Sequence, residues 1–238
     1  MESGAIVEGR LPSARTLKRN NAITAIACGA LPGLALALHI VPAARPWLAG
    51  LSIGLIWANA FEYFYHRYLL HRTRGTFGKG HIMHHITTGK PDEVEHLTFG
   101  ESPVWVAILF FTNGTPVILA GLLWRMGIAP GILMGFTAYF LGVEEIHWRI
   151  HQGGWLPPGF GAARAYHLDH HDIPEGRFNV FLPLFDLLLG TFTSSGALSS
   201  TRPQRARWRT VGELALVYTW MIVIVIVARF FSGPAAKG

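Results

Sequence analysis

The chain has 238 residues, 50% of them hydrophobic and only 14% charged, with a formal net charge of +6 at pH 7. An average soluble domain carries about 25% charged residues, so this composition excludes an ordinary soluble domain. The basic residues flank apolar stretches instead of forming a basic surface, which excludes a nucleic-acid partner, and the single cysteine, Cys28, leaves no internal disulfide and no thiolate metal site.

Five apolar stretches approach the roughly 20 residues that a helical membrane span needs. In chain order they cover 22–41, 47–65, 104–124, 128–146 and 211–231. Pro32-Gly33 interrupts the first and Asn113-Gly114 the third, a feature membrane helices tolerate where neighbours satisfy the backbone. Lys and Arg number four in residues 1–21, five in 66–102 and seven in 147–210, against one in each short loop on the other side, Arg45 and Arg125. Positive charge collects on the cytoplasmic side, so the N-terminus and both long polar segments are expected there. The basic N-terminus lacks a small-residue cleavage site after its first apolar run, so a retained span is expected. The stretch 181–192, FLPLFDLLLGTF, is too short to span and is broken by Asp186, and it reads as an interfacial or re-entrant segment. The expected fold is all-α: one integral-membrane domain over 1–238, a polytopic bundle of four to five spans under a cytosolic helical metal-binding cap, with 211–231 as the last span.

Ten of the twelve histidines fall in four groups that the topology puts on one side. They are His66 and His71 in HRYLLH, His81, His84 and His85 in HIMHH, His147 and His151 in HWRIH, and His167, His170 and His171 in HLDHH. The order pair-then-triplet occurs twice. Residues three and four apart share a helix face, so positions one, four and five of each triplet are expected to point into one small volume. His147 and His151 are one turn apart. His66 and His71 are five apart and about 140° round an ideal helix, so that pair must bend at its helix end or reach two different metal positions. Neutral imidazole suits iron, zinc, copper and nickel. Ten imidazoles exceed the needs of one ion, so two metals with four or five ligands each are expected. The lack of thiolates, and of carboxylates at the triplets' ligand positions, argues against calcium, magnesium and structural zinc.

HRYLLH, HIMHH, HWRIH and HLDHH, followed by RFNVFLPLFDLLLGT at 177–191, resemble the fatty acid hydroxylase and sterol desaturase superfamily of integral-membrane histidine-box enzymes. The resemblance covers 61–192, a histidine-box catalytic core. It implies an O2-dependent non-haem di-iron site, with zinc able to stand in for iron, in which His66, His71, His81, His84, His85, His147, His151, His167, His170 and His171 are the ligands. It implies hydroxylation of an aliphatic C–H bond in a long-chain fatty acyl or sterol-like lipid of a bacterial inner membrane or endoplasmic reticulum. No nucleotide fingerprint or iron–sulfur motif occurs, so electrons are expected from a separate redox partner; Arg202, Arg205, Arg207 and Arg209 either offer it a basic docking segment or simply follow the membrane topology, which explains them equally well. A lipid desaturase with the same metal site is the alternative. A transition-metal transporter should carry its ligands inside the spans, whereas these lie beyond the span ends. Metal-bound imidazoles usually donate their second N–H to a carboxylate or carbonyl, and Glu62, Glu144, Glu145, His96, Asp169 and Asp172 are the candidates for that role.

Overall fold

The computed structural model describes residues 13–72 and 75–192, so the expected span at 211–231 and the arginines at 202–209 lie outside the described residues. Among the described residues the structure is helical and no strand occurs. The first helix starts before the apolar run: Ser13 caps α1 (Ala14–Ala25) by accepting from Thr16 N at 3.3 Å. A π turn, Ile26–Ala30, then leads without a break into α2 (Leu31–Ile40). Pro32 does not end this helix: its missing N–H cannot continue the α-helical ladder, and the irregularity sits one turn earlier, where the π turn Ile26–Ala30 relaxes the hydrogen-bond pattern before it. The chain reverses at Val41, in the left-handed conformation, and enters α3 (Ala44–Phe64). In the second half, α5 (Pro103–Trp124) runs through Asn113-Gly114 and Pro116 without ending, and α6 (Ala129–His151) returns.

Two continuous helices, Ala14–Ile40 and Pro103–Trp124, are long and apolar enough to cross a membrane. Both carry exposed large apolar side chains, among them Leu31, Leu34 and Leu38 on one and Phe111, Leu119 and Leu123 on the other. Helices α3 and α6 are of spanning length too, with 21 and 23 residues.

Helices α3 and α6 form the centre, and they lie parallel. Gly50 and Gly54 press on the backbone of Ile128 and Ile132, while Gly131 and Gly135 press on that of Trp47 and Leu51. A Cβ added at any of these four would overlap the facing backbone, which is why small residues four apart let helices pack this closely where no hydrophobic force separates protein from solvent. The same offset of 81 residues relates Gly50 to Gly131 and His66 to His147. The parallel packing thus delivers both histidine pairs to one end of the bundle at one level.

Beyond that end lie α4 (Thr76–Thr87) and α7 (Gly161–Asp172), which carry the two triplets, and the short α8 (Leu184–Leu188). The apolar stretch after residue 180 is not a surface segment at its start. Val180, Phe181 and Leu182 are buried in the main core, and Phe181 stacks on Tyr139 of α6 with ring centroids 5.3 Å apart. Only Leu187, Leu188 and Leu189 are exposed as an interfacial segment would be. Asp186 does not break the segment but organises it, accepting from the backbone N–H groups of Phe178 (2.9 Å) and Asn179 (2.8 Å).

The central packing predicts that Gly131→Ala, whose new methyl group meets backbone that cannot yield, lowers stability by about 1–3 kcal/mol. Gly142→Ala on the same helix, where a Cβ meets nothing within 4 Å, should leave the protein unchanged or slightly more stable. Thermal unfolding in detergent micelles compares the two directly.

Candidate metal centre

All ten box histidines converge, and they sort into two groups. The ring nitrogens of His66, His71, His81, His85 and His170 lie within 4.8 Å of one another, and so do those of His84, His147, His151 and His167. His171 adjoins the second group, its Nε2 being 3.2 Å from that of His167. Its ring also stands 4.3 Å from that of His85, centroid to centroid, so it sits at the seam between the groups.

This sorting departs from the expected one in one way. The three histidines of a triplet do not share one volume. Positions one and five, His81 with His85 and His167 with His171, stay with the pair from their own half, while the fourth, His170 or His84, reaches into the other half's group. Positions one and five are i,i+4 neighbours on one face, and position four points around the helix. Each group is therefore completed by the opposite half of the chain. His66 and His71 follow the first of their two alternatives, a distortion at the helix end: α3 continues as a π turn, Tyr65–Leu70, closed by a bond from His71 N to His66 O of 3.2 Å, and both rings enter one group. The i→i+5 pattern brings residues five apart onto one face, and π turns of this kind occur mostly at functional sites.

In five of the ten rings the outward Nδ1 is pinned, whereas Nδ1 of His84 and of His167 is buried with no hydrogen-bond partner among the described residues. Nδ1 of His66 donates to Phe178 O at 2.5 Å, Nδ1 of His147 to Leu97 O at 3.0 Å and Nδ1 of His170 to Gly176 O at 2.6 Å. A carbonyl oxygen can only accept, so in these rings Nδ1 carries the proton and Nε2 presents its lone pair inward. Nδ1 of His151 meets Glu93 Oε1 at 2.6 Å, and Nδ1 of His171 meets Thr88 Oγ1 at 3.0 Å. Neighbouring Nε2 atoms stand about 3 Å apart, as for His66–His81 (2.9 Å), His71–His170 (3.1 Å), His84–His147 (3.1 Å) and His151–His167 (3.0 Å). Ligands at right angles on an ion with bonds of about 2.1 Å would be spaced at about 3.0 Å. The all-imidazole donor set, its spacing and its pinned tautomers fit divalent transition metals.

The carboxylates expected behind the histidines are engaged elsewhere. Glu62 accepts from Val180 N (2.9 Å), Asn179 Nδ2 (2.7 Å) and Tyr139 Oη (2.7 Å). Glu144 accepts from Gly100 N at 2.7 Å. Glu145 holds Lys18 and Arg149, each at 2.5 Å, and Asp169 pairs with Arg177 at 2.7 Å. Asp172 ends α7, and His96 lines a cavity of about 420 Å³ that His81, His84 and His147 also wall. The partners that do hold imidazoles went unrecognised in the sequence. Glu93 lies in a loop, in PDEVEH, without any motif, and three of the others are backbone carbonyls, which every residue possesses.

Burial is the first cause of depressed proton affinity throughout the cluster. It pushes His66, His81, His84, His167, His170 and His171 well below the ordinary imidazole range, and neighbouring imidazoles push them further. His71 and His85 are lowered to about 4. The site is a pool of neutral imidazoles, the form that binds metal.

Fold and site together define an all-helical protein with paired imidazole groups at one end of an apolar bundle. The fatty acid hydroxylase family model matches residues 51–191, more than half of the chain, and the protein belongs to that family. A dihydroceramide fatty acyl 2-hydroxylase of Arabidopsis thaliana is 27% identical over 144 residues, and the match spans 59% of each chain. No solved structure matches.

The depressed imidazoles set a pH dependence for the metal-free protein. The unfolded chain takes up protons near pH 6.5, whereas folded His71 and His85 do so only near 4. Stability should therefore hold above about pH 6.5 and fall progressively as pH drops from there towards 4, as a melting series in chelator would record. Removing the pinning carboxylate with Glu93→Ala should weaken metal binding roughly 10–100-fold, measured by competition with a chromogenic chelator.

Proposed function

We propose that this protein is a membrane-bound di-iron oxygenase that hydroxylates an aliphatic C–H bond of a long-chain lipid. The observation that carries the proposal is the pair of abutting imidazole groups with free Nε2 atoms at spacings that suit metal ligation. The ten box histidines are the ligand set, five around His66 and five around His147 with His171 completing the second. The family membership and the acyl-hydroxylase relative support a lipid substrate.

Bound there, iron and O2 supply an oxidant strong enough for an unactivated C–H bond, chemistry beyond the reach of any acid or base side chain. One oxygen atom enters the C–H bond as hydroxyl and the other leaves as water, with two electrons from a separate donor protein and two protons. The chain's own residues bind, orient and exclude. Phe99 packs edge-on against the rings of His66 and His147, at centroid distances of 5.5 and 5.7 Å. It walls both the open cavity beside the histidines and a small apolar space between α3, α5 and α6, bounded by Phe61, Leu109, Phe136 and Phe140. An apolar chain approaching along that seam would meet the histidine groups with its aliphatic part, while its polar head stays in the open cavity among Lys79, Glu95 and Glu101. In this reading four described helical segments cross the membrane, α1 with α2, α3, α5 and α6; two of them, Ala14–Ile40 and Pro103–Trp124, are long and apolar enough by length and composition. The parallel course of α3 and α6 and the basic loops support placing the metal end on the cytoplasmic side.

Protein expressed with iron should contain about two metals per chain, four to five ligands apiece being the capacity of ten imidazoles. Because His170 and His84 belong to different groups, His170→Ala and His84→Ala should each remove mainly one metal and the double substitution nearly both. Lipids from cells expressing the parent under ¹⁸O2 should carry a single labelled hydroxyl that the double variant lacks. An unlabelled product with a new double bond would mean desaturation, and no stoichiometric metal would end the oxygenase reading.

A further inference from the structure

Two buried carboxylates, Glu62 and Glu144, touch no histidine in any bond described above, yet each lies one helical turn before the first histidine of its pair, His66 and His147. Glu62 is 4% exposed and Glu144 5%, deep enough for an unmatched carboxylate to be costly, so each must be held by donors. Those donors come from the opposite half of the chain. Glu62 takes the backbone N–H of Val180, and Phe178, two residues earlier in that loop, supplies the carbonyl that pins Nδ1 of His66. Glu144 takes the backbone N–H of Gly100, and Leu97, three residues earlier, supplies the carbonyl that pins Nδ1 of His147. Gly100 fits this place because a Cβ there would collide with Val106 and press on the buried Asn21 amide.

We infer that Glu62 and Glu144 are positioning residues, one per metal group, that fix the tautomer and aim of His66 and His147 by clamping the loops at 178–180 and 97–100. The inference rests on the reading of the two histidine groups as metal sites. The arrangement is the same on both sides: carboxylate on the span, backbone N–H from the crossing loop, carbonyl from that loop to imidazole on the same span. The clamp at Glu62 is the more elaborate. Asn179 Nδ2 donates to Glu62 at 2.7 Å and also to Asn59 O at 2.9 Å, while Asp186 holds the N–H groups of Phe178 and Asn179 from the other side. The same loop supplies Gly176 O to His170, so one clamped loop orients two of the five imidazoles in the first group.

Each clamp should act on its own metal. Glu62→Gln keeps the shape but turns an amide N–H₂ against donors that need an acceptor; Glu144→Ala removes the acceptor of Gly100. Measured by metal titration with Co²⁺ as the probe, Glu62→Gln should weaken one of two binding events roughly 10–100-fold and leave the other within about twofold. Glu144→Ala should weaken the other event instead. Assignment comes from combination. In a His151→Ala background, which keeps the first group, Glu62→Gln should weaken the remaining event; in a His71→Ala background it should have no effect. Equal weakening of both events by either variant, or no change in either, would overturn the inference, since a merely structural carboxylate has no reason to choose between sites. A parent that binds no Co²⁺ would overturn the metal reading itself and the inference with it. Coupling is reciprocal, so a second measurement needs no variant: metal loading of the parent should slow amide hydrogen exchange at Gly100 and Val180. Exchange indifferent to metal at both amides would also overturn it.

Discussion

The close parallel contact of α3 with α6 is the constraint on which the rest of the molecule depends. Four glycines, Gly50, Gly54, Gly131 and Gly135, remove the side chains that would otherwise hold the two backbones apart. In an apolar bundle such contact is favoured by packing and not by exclusion of water, so it demands close fit over several turns. That fit sets the helices in one register, and the register determines that His66 and His147 emerge level. A shift of one turn between these helices would move one pair about 5.4 Å along the axis from the other and pull apart two groups that exchange His84 and His170.

From that level platform the two halves are laced together. Each triplet contributes two histidines to its own half's group and one to the opposite group, and the buried glutamate of α3 or α6 grips a loop that belongs to the other half. Neither half can assemble its imidazole group alone. The consequence is electrostatic as well as geometric. Ten imidazoles packed this closely could not all be protonated without strong mutual repulsion, and burial already favours the neutral form. The cluster is held neutral by its surroundings, with hydrogen-bonded carbonyls directing which nitrogen keeps its proton.

The apolar bundle and the histidine-bearing helices meet at the segment from Arg177 to Leu189. Its first part is drawn into the core by Glu62 and by the stacking of Phe181 on Tyr139, and its last turn exposes three leucines. A stretch that looks uniformly apolar thus performs two tasks: it closes the histidine cluster from below and ends on the surface. Asp186 makes this possible by satisfying backbone N–H groups that a tight buried turn would otherwise leave without acceptors.

The sequence by itself determined the helical class, the apolar stretches, the four histidine groups and the identity of all ten imidazoles that converge. These are local or compositional signals: hydropathy over about 20 residues, and histidines at spacings that share a helix face. Tertiary structure decided the rest. Spacing could not tell that position four of each triplet would leave its neighbours, because that depends on where the opposite helix stands. Nor could it show that a π turn reconciles His66 with His71, since the extra residue per turn is set by hydrogen bonds and not by residue type. Glu93 and the carbonyls of Leu97, Gly176 and Phe178 were invisible for a different reason. They are an isolated loop carboxylate and backbone oxygens, groups without a pattern along the chain, and only the packing of distant segments against one another turns them towards an imidazole.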